Sequence, residues 1–392
     1  VCKLYEWILN GGIILNFEFG TVDKFMNDFI QNKYKQKSNI FLKLNETDYY
    51  EENKSGTLCH YPGCCEKAIE SHTYPKSFLR RIADGNKVFA TDIKHIVGNI
   101  YDKGVLDLVI DTNIKYSGVQ PLFCKKHDFD LFKAIEVKDF NTDLKTYLCL
   151  FLYRSYIYDY QLESEVHNPI VNRKINIERD YSKKISKEDE SRYLFEQELS
   201  TKIISENANF HNSDVLKNRF DNIFLEKKSP NYTDFCQYFE LKYYDLGFLP
   251  NFFASGTMFF SANPTRSESP LQSIYAIIPE KSLKTAYFCI LIPNESKDSM
   301  KIVIENIEAE YSKSDKSDFI KIIEFFLLDA SQNIIMTESL YKKLQNNNEY
   351  QKLLKVSMSL AFARLNIFPI SSQSFRSYSY TLLQTFKLIN KN

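Results

Sequence analysis

Cys59-His60-Tyr61-Pro62-Gly63-Cys64-Cys65 opens, and Phe123-Cys124-Lys125-Lys126-His127-Asp128 closes, the part of the sequence that carries unusual chemistry. Pro62 and Gly63 set a turn between the first two cysteines, which lets both sulfurs face one point. Cys124 and His127 form a second pair with two residues between them. Zinc takes four nitrogen or sulfur ligands in a tetrahedron, and such sites are commonly built from two short-spaced pairs. The preferred set is Cys59, Cys64, Cys124 and His127 around one structural Zn2+. Cys65 in place of Cys64, or His60 or His72 as a ligand, stays open on sequence grounds.

The bulk properties bound the surroundings of that site. A chain of 392 residues is too long for one ordinary core and suits two or three domains. Hydrophobic residues at 44% and charged residues at 26% describe a globular protein rather than a disordered one. The 50 basic residues balance 50 acidic ones, which argues against a chain-wide electrostatic grip on nucleic acid but leaves room for a local patch. The most apolar run, Tyr147–Tyr158, is interrupted by Arg154 and is shorter than the roughly 20 residues of a membrane span. Val1-Cys2-Lys3-Leu4-Tyr5 does not read as a signal peptide. A soluble, cytoplasmic protein without a disulfide framework or membrane partner is expected. The chain starts on Val1 rather than Met, so it is expected to begin inside a longer one. Cys149 and Cys289 sit within apolar runs and are expected to be buried thiols.

The fold class expected is α+β and multidomain, with a zinc-stabilised module, a helical middle and a C-terminal α+β domain. The divisions fall at 1–57, 58–135, 136–229 and 230–392. Val22–Tyr34 shows helical spacing of apolar residues. Pro75 suits the first turn of a helix over Lys76–Ala83 that stops near Gly85. Lys87–Ala90 and Val105–Ile110 read as strands. A second helix is expected near Asp128, capped by its carboxylate, broken near Asn141, and continuing through Tyr147–Tyr160. That last stretch is apolar nearly all round and therefore buried. Residues 171–199 carry mixed charge and read as a solvated helix or linker. Further on, Ile274–Ile278, Thr285–Ile292 and Met300–Ile304 read as strands. Ser255-Gly256-Thr257 and Ser261–Pro270 read as polar loop, and Phe319–Leu328 and Leu353–Leu365 as helices.

Ser71-His72-Thr73-Tyr74-Pro75 lies between the two ligand pairs. A neutral imidazole near a metal is suited to act as a general base, because its unperturbed pKa is close to neutral. A bland role for His72, such as a hydrogen bond to a backbone carbonyl, is equally compatible with the sequence. The order Cys-x4-Cys, Ser71-His72-Thr-Tyr-Pro, Phe-Cys-x2-His127-Asp128 resembles a divergent zinc-containing HNH-type (ββα-metal) endonuclease module of uncharacterised bacterial proteins. The resemblance covers about 75 residues, Leu58 to Lys133. It implies His72 as general base, Asp128 as ligand of a catalytic Mg2+ or similar divalent ion, and DNA or RNA as partner, with phage defence as a setting. Lys76, Arg80 and Arg81 follow His72 on the expected helix and suit contacts to backbone phosphates. The pattern departs from the family at Ser71, where a His or Asp is usual. The stretch from His72 to Asp128 is also about twice that of a compact unit, and the middle Asn is either Asn99 or Asn113. The competing class is a non-catalytic, zinc-stabilised binding or regulatory protein.

Overall fold

The structure is a computed structural model that describes residues 57–91, 109–137, 139–181, 213–258, 272–320, 322–323 and 331–346. The expected helices Val22–Tyr34 and Leu353–Leu365, the 261–270 loop, residues 182–199 of the expected 171–199 helix or linker, and Asn99 lie outside them. Helices and antiparallel sheets are both present, so the protein is α+β.

Two short strands, β1 (Ile69–His72) and β4 (Val119–Phe123), pair antiparallel in a sheet of their own, with His72 opposite Val119. Between them the chain makes a long excursion through α1 (Lys76–Ile82), β2 (Lys87–Thr91) and β3 (Val109–Asn113). Pro75 occupies the position before α1, whose inner face buries Phe78, Leu79 and Ile82. After β4 comes α2 (Lys125–Glu136) and then α3 (Leu144–Tyr181). The break between the two helices falls where expected.

The larger sheet also uses β5 (Phe239–Asp245), β6 (Phe252–Met258), β7 (Ser273–Pro279), β8 (Ala286–Pro293) and β9 (Ser331–Met336). Its order is β3-β2-β9-β6-β7-β8-β5, with every neighbouring pair antiparallel. Strands on both sides of the expected 135 and 230 divisions therefore lie in one sheet. They join where β2 meets β9, Phe89 opposite Met336 and Ala90 opposite Ile335.

Both faces of this sheet are covered at β7 and β8, which explains why these strands are apolar throughout instead of alternating. Ile274, Ala276, Ile278, Cys289 and Leu291 belong to one core, together with α3 residues such as Phe151 and Tyr147. Tyr275, Ile277, Phe288, Ile290 and Ile292 face the other, where Met300, Ile304 and Ile307 of α5 (Lys297–Tyr311) pack; the four-residue helix Tyr232–Phe235 is α4. α3 lies between β6, β7 and β8 on one side and β4 and α2 on the other. That position buries Tyr147–Tyr158 on all sides, Arg154 included.

Several expectations need correction. Met300–Ile304 is helix, not strand: Met300, Ile304 and Ile307 recur at helical spacing and form the buried face of α5. Ser255-Gly256-Thr257 is part of β6 rather than a loop; Ser255 is buried and accepts a hydrogen bond from the Asn333 side chain on β9 at 3.3 Å. α2 begins at Lys125 with Cys124 at its cap position, and the Asp128 backbone N–H already donates to the Cys124 carbonyl at 2.9 Å. Asp128 is thus inside the first turn and does not cap the helix.

Candidate metal centre

The chain around the first ligand pair is tied down by its backbone. The Cys64 N–H donates to the Tyr61 carbonyl at 3.1 Å, with Pro62 second and Gly63 third at φ 73°, the positive φ that a type II turn requires there. The Cys59 N–H donates to Glu66, and the His60 N–H donates to Leu122 of β4, both at 2.9 Å. This last bond carries the first pair to the strand that leads into the second. Cys124 stands at the start of α2 and His127 one turn along, so both project from the same helix end.

The structure brings Cys59, Cys64, Cys124 and His127 together, with one ligand atom from each and all four within 4.8 Å of one another. The Cys64 and Cys124 sulfurs are 4.0 Å apart, and His127 Nδ1 lies 3.5 Å from the Cys59 sulfur and 3.4 Å from that of Cys124. Tetrahedral zinc bonds imply edges of about 3.8 Å between sulfurs and about 3.6 Å between sulfur and nitrogen. The cluster fits a metal ion such as zinc in donor type, number and spacing.

The electrostatics of the four groups differ. Burial pushes the Cys59 thiol up to about 12, which opposes the thiolate that a metal requires. Burial also acts against the Cys124 thiolate, but the backbone N–H of His127, the thiols of Cys59 and Cys64 and the N–H of Lys126 outweigh it and lower its pKa. Burial and the charge of Lys126 lower the His127 pKa, against the pull of Asp130, which keeps the imidazole neutral for ligation. The Tyr61 ring stacks on His127 at 3.9 Å, and its hydroxyl donates to the Phe224 carbonyl at 3.2 Å, fixing the ring plane.

The alternative ligands stand elsewhere. Cys65 is exposed and His60 pairs through Nε2 with the Gln161 side-chain oxygen at 2.7 Å. His72, at the end of β1, places Nε2 3.0 Å from the Ile114 carbonyl. None of the three joins the cluster. Cys149 and Cys289 are buried thiols.

A carbonyl only accepts, so the shared hydrogen sits on His72 Nε2 and the lone pair on Nδ1. Burial lowers the His72 pKa; the bond to Ile114 raises it, Lys76 and Arg154 lower it, and Glu136 raises it. Asp128 does not stand free. Its carboxylate lies 3.3 Å from Arg154, whose guanidinium also meets Glu136 at 2.5 Å. Asn113 accepts from the Lys115 backbone N–H at 2.9 Å, an ordinary turn contact. Lys76, Arg80 and Arg81 are exposed on α1 and form no ion pair among the described residues. Arg154 was not singled out by the sequence, because its partners lie 18 and 26 residues away.

Comparison with known proteins returns no match: no family model fits the chain, no curated protein matches it, and no solved structure matches it. Among the described residues no helix is long and apolar enough to cross a membrane.

Proposed function

We propose that residues 57–136 form a zinc-held nuclease unit of the HNH type that hydrolyses phosphodiester bonds in nucleic acid. The observation that carries this reading is the order of elements around the metal centre. β1 ends at His72 and pairs with β4, and β4 passes through Cys124 directly into α2. This is a strand–strand–helix unit with the metal cluster at its joint. The excess length between His72 and Asp128 is taken up by α1, β2 and β3, which lead away into the larger sheet.

Zinc on Cys59, Cys64, Cys124 and His127 supplies the cross-link that holds this unit. His72 supplies the base. Its Nε2–H is committed to Ile114, its Nδ1 has no hydrogen-bond partner among the described residues, and burial favours the neutral form. Nδ1 accepts a proton from the water that attacks phosphorus. The exposed Lys76, Arg80 and Arg81 meet backbone phosphates. A Mg2+ or similar ion on Asp128 would stabilise charge at the phosphate, but Arg154 competes for that carboxylate.

Cleavage of single- and double-stranded DNA and RNA by the zinc-loaded chain tests this reading. His72→Ala should lose roughly 10²- to 10⁴-fold in rate with zinc content and fold unchanged. Full cleavage by the variant removes the mechanism. The ion pair of Asp128 with Arg154 favours a second reading, a binding protein whose zinc is purely structural. That reading expects no cleavage of any substrate while chelation still unfolds the unit.

A further inference from the structure

Arg154 sits on α3 with its side chain only 2% exposed, yet it carries two ion pairs. Nη1 donates to Glu136 at 2.5 Å and Nη2 to Asp128 at 3.3 Å, while the guanidinium lies 4.7 Å from the centre of the Phe132 ring. Asp128, Phe132 and Glu136 follow one another at four-residue steps on α2. One guanidinium laid along that face therefore reaches both carboxylates and rests on the ring between them. A buried cation persists only when paired, and two carboxylates hold this one. Arg154 and Glu136 both act on His72, so the group lies within electrostatic reach of the proposed base. Among the described residues, the Cys59, Cys64, Cys124 and His127 cluster is the only group of His, Cys, Asp and Glu with the spacing to hold a metal ion. Asp128, Glu136 and His72 do not make a second one.

We infer that Arg154 is the built-in cation of this site, paired with Asp128 and Glu136 in place of the divalent ion that the nuclease reading puts on Asp128, so that the unit needs no metal beyond the Cys3His cluster. The inference deepens the nuclease reading and rests on it for its chemical part. In the step concerned, a water oxygen bonds to phosphorus and the phosphorus–ester oxygen bond breaks. The water proton passes to His72 Nδ1, and the leaving oxygen takes a proton from solvent. Arg154 touches the two carboxylates and not the substrate, which makes it a positioning residue. It offsets one of the two negative charges that would repel a phosphate, and its charge lowers the His72 pKa against the opposite pull of Glu136.

The test uses the full zinc-loaded chain, freed of other divalent ions. Mn2+ is titrated in and followed by electron paramagnetic resonance. The expected result is that Mn2+ stays free. Mn2+ bound by the wild type and released by Asp128→Asn would overturn the inference, whether or not the protein cleaves anything. Cleavage is then compared with and without added Mg2+. Equal rates support the inference, and a rate that requires Mg2+ overturns it. Cleavage under neither condition removes the nuclease reading and its chemical step, and the Mn2+ titration still shows whether Asp128 holds a divalent ion instead of Arg154. In an active protein, Arg154→Met should move the acid limb of the pH–rate profile upward, because a cation near His72 is lost. Arg154→Lys should restore it. An arginine whose charge does not reach His72 would leave that limb in place.

Discussion

The hydroxyl of Tyr74, fully buried just beyond β1, donates to the Ala254 carbonyl of β6 at 2.7 Å. It also reaches the Ile277 carbonyl of β7 at 3.2 Å, and its ring stacks on Phe253 at 5.2 Å. One side chain two residues from His72 thus fastens the unit that carries the Cys3His cluster to the centre of the seven-stranded sheet. Tyr74→Phe keeps the ring contacts and deletes the donor. It should cost about 1–3 kcal/mol, read as a lower urea midpoint at unchanged slope. An unchanged midpoint would mean that the hydroxyl contributes nothing to the join.

Metal content is the most direct measurement. The purified chain should hold one zinc, and Cys124→Ser should lose it, because Cys124 contacts both Cys64 and His127. Cys65→Ser, at an exposed neighbour outside the cluster, should keep it. A wild type without zinc would end the case for the centre. Zinc lost on Cys65→Ser would show that the ligand set is different.

Gly118 and Gly85 offer a matched pair. Both lie in the left-handed region, at φ 60° and 63°. A Cβ on Gly85 meets nothing within 4 Å, whereas one on Gly118 comes 3.1 Å from the Ile335 side chain and 3.2 Å from Asn333 Oδ1. Gly85→Ala should cost about 1–2 kcal/mol through backbone strain alone. Gly118→Ala should cost more, because it also presses on β9. Equal losses in thermal denaturation would show that β9 yields freely at this contact.

Asp143 governs a pH-dependent contribution at the start of α3. Its carboxylate accepts from the Thr146 N–H at 2.9 Å and from the Thr146 hydroxyl at 2.6 Å. Burial alone would raise the Asp143 pKa, but these bonds and nearby backbone N–H groups lower it overall. A depressed folded pKa means that the contribution is complete above the unfolded value and is lost as pH falls through the folded one. Asp143→Asn should therefore trail the wild type by a constant margin from neutral pH down to about pH 5. The margin should shrink at more acid pH. No margin at neutral pH would show that the charge is irrelevant to the cap.

The clustering of Cys59, Cys64, Cys124 and His127 was legible because close spacing and turn residues leave a local mark. β7 and β8 were legible through their length and branched apolar content. Other features depended on distant neighbours. β1 and β4, with Glu70, Ser71, Gln120 and Pro121, lack an apolar strand pattern and are defined by each other. Met300–Ile304 has the composition of a strand, but the sheet face above it accepts a helix. Ser255 looked like loop because its partner, Asn333, is 78 residues away. The Arg154 group combines residues from two helices that no spacing rule connects.

The excursion between the ligand pairs also shapes how the chain must be made. As synthesis proceeds, Cys59 and Cys64 emerge well before Cys124 and His127, and β2 emerges long before its partner β9. The Cys3His cluster, which could hold a metal ion, is complete while one edge of β2 is still bare. Unpaired strand edges invite association with other chains. The interval before residues 331–336 arrive therefore leaves that edge of β2 open to association, and a metal held early by the Cys3His cluster would give an anchored half on which the late strand closes.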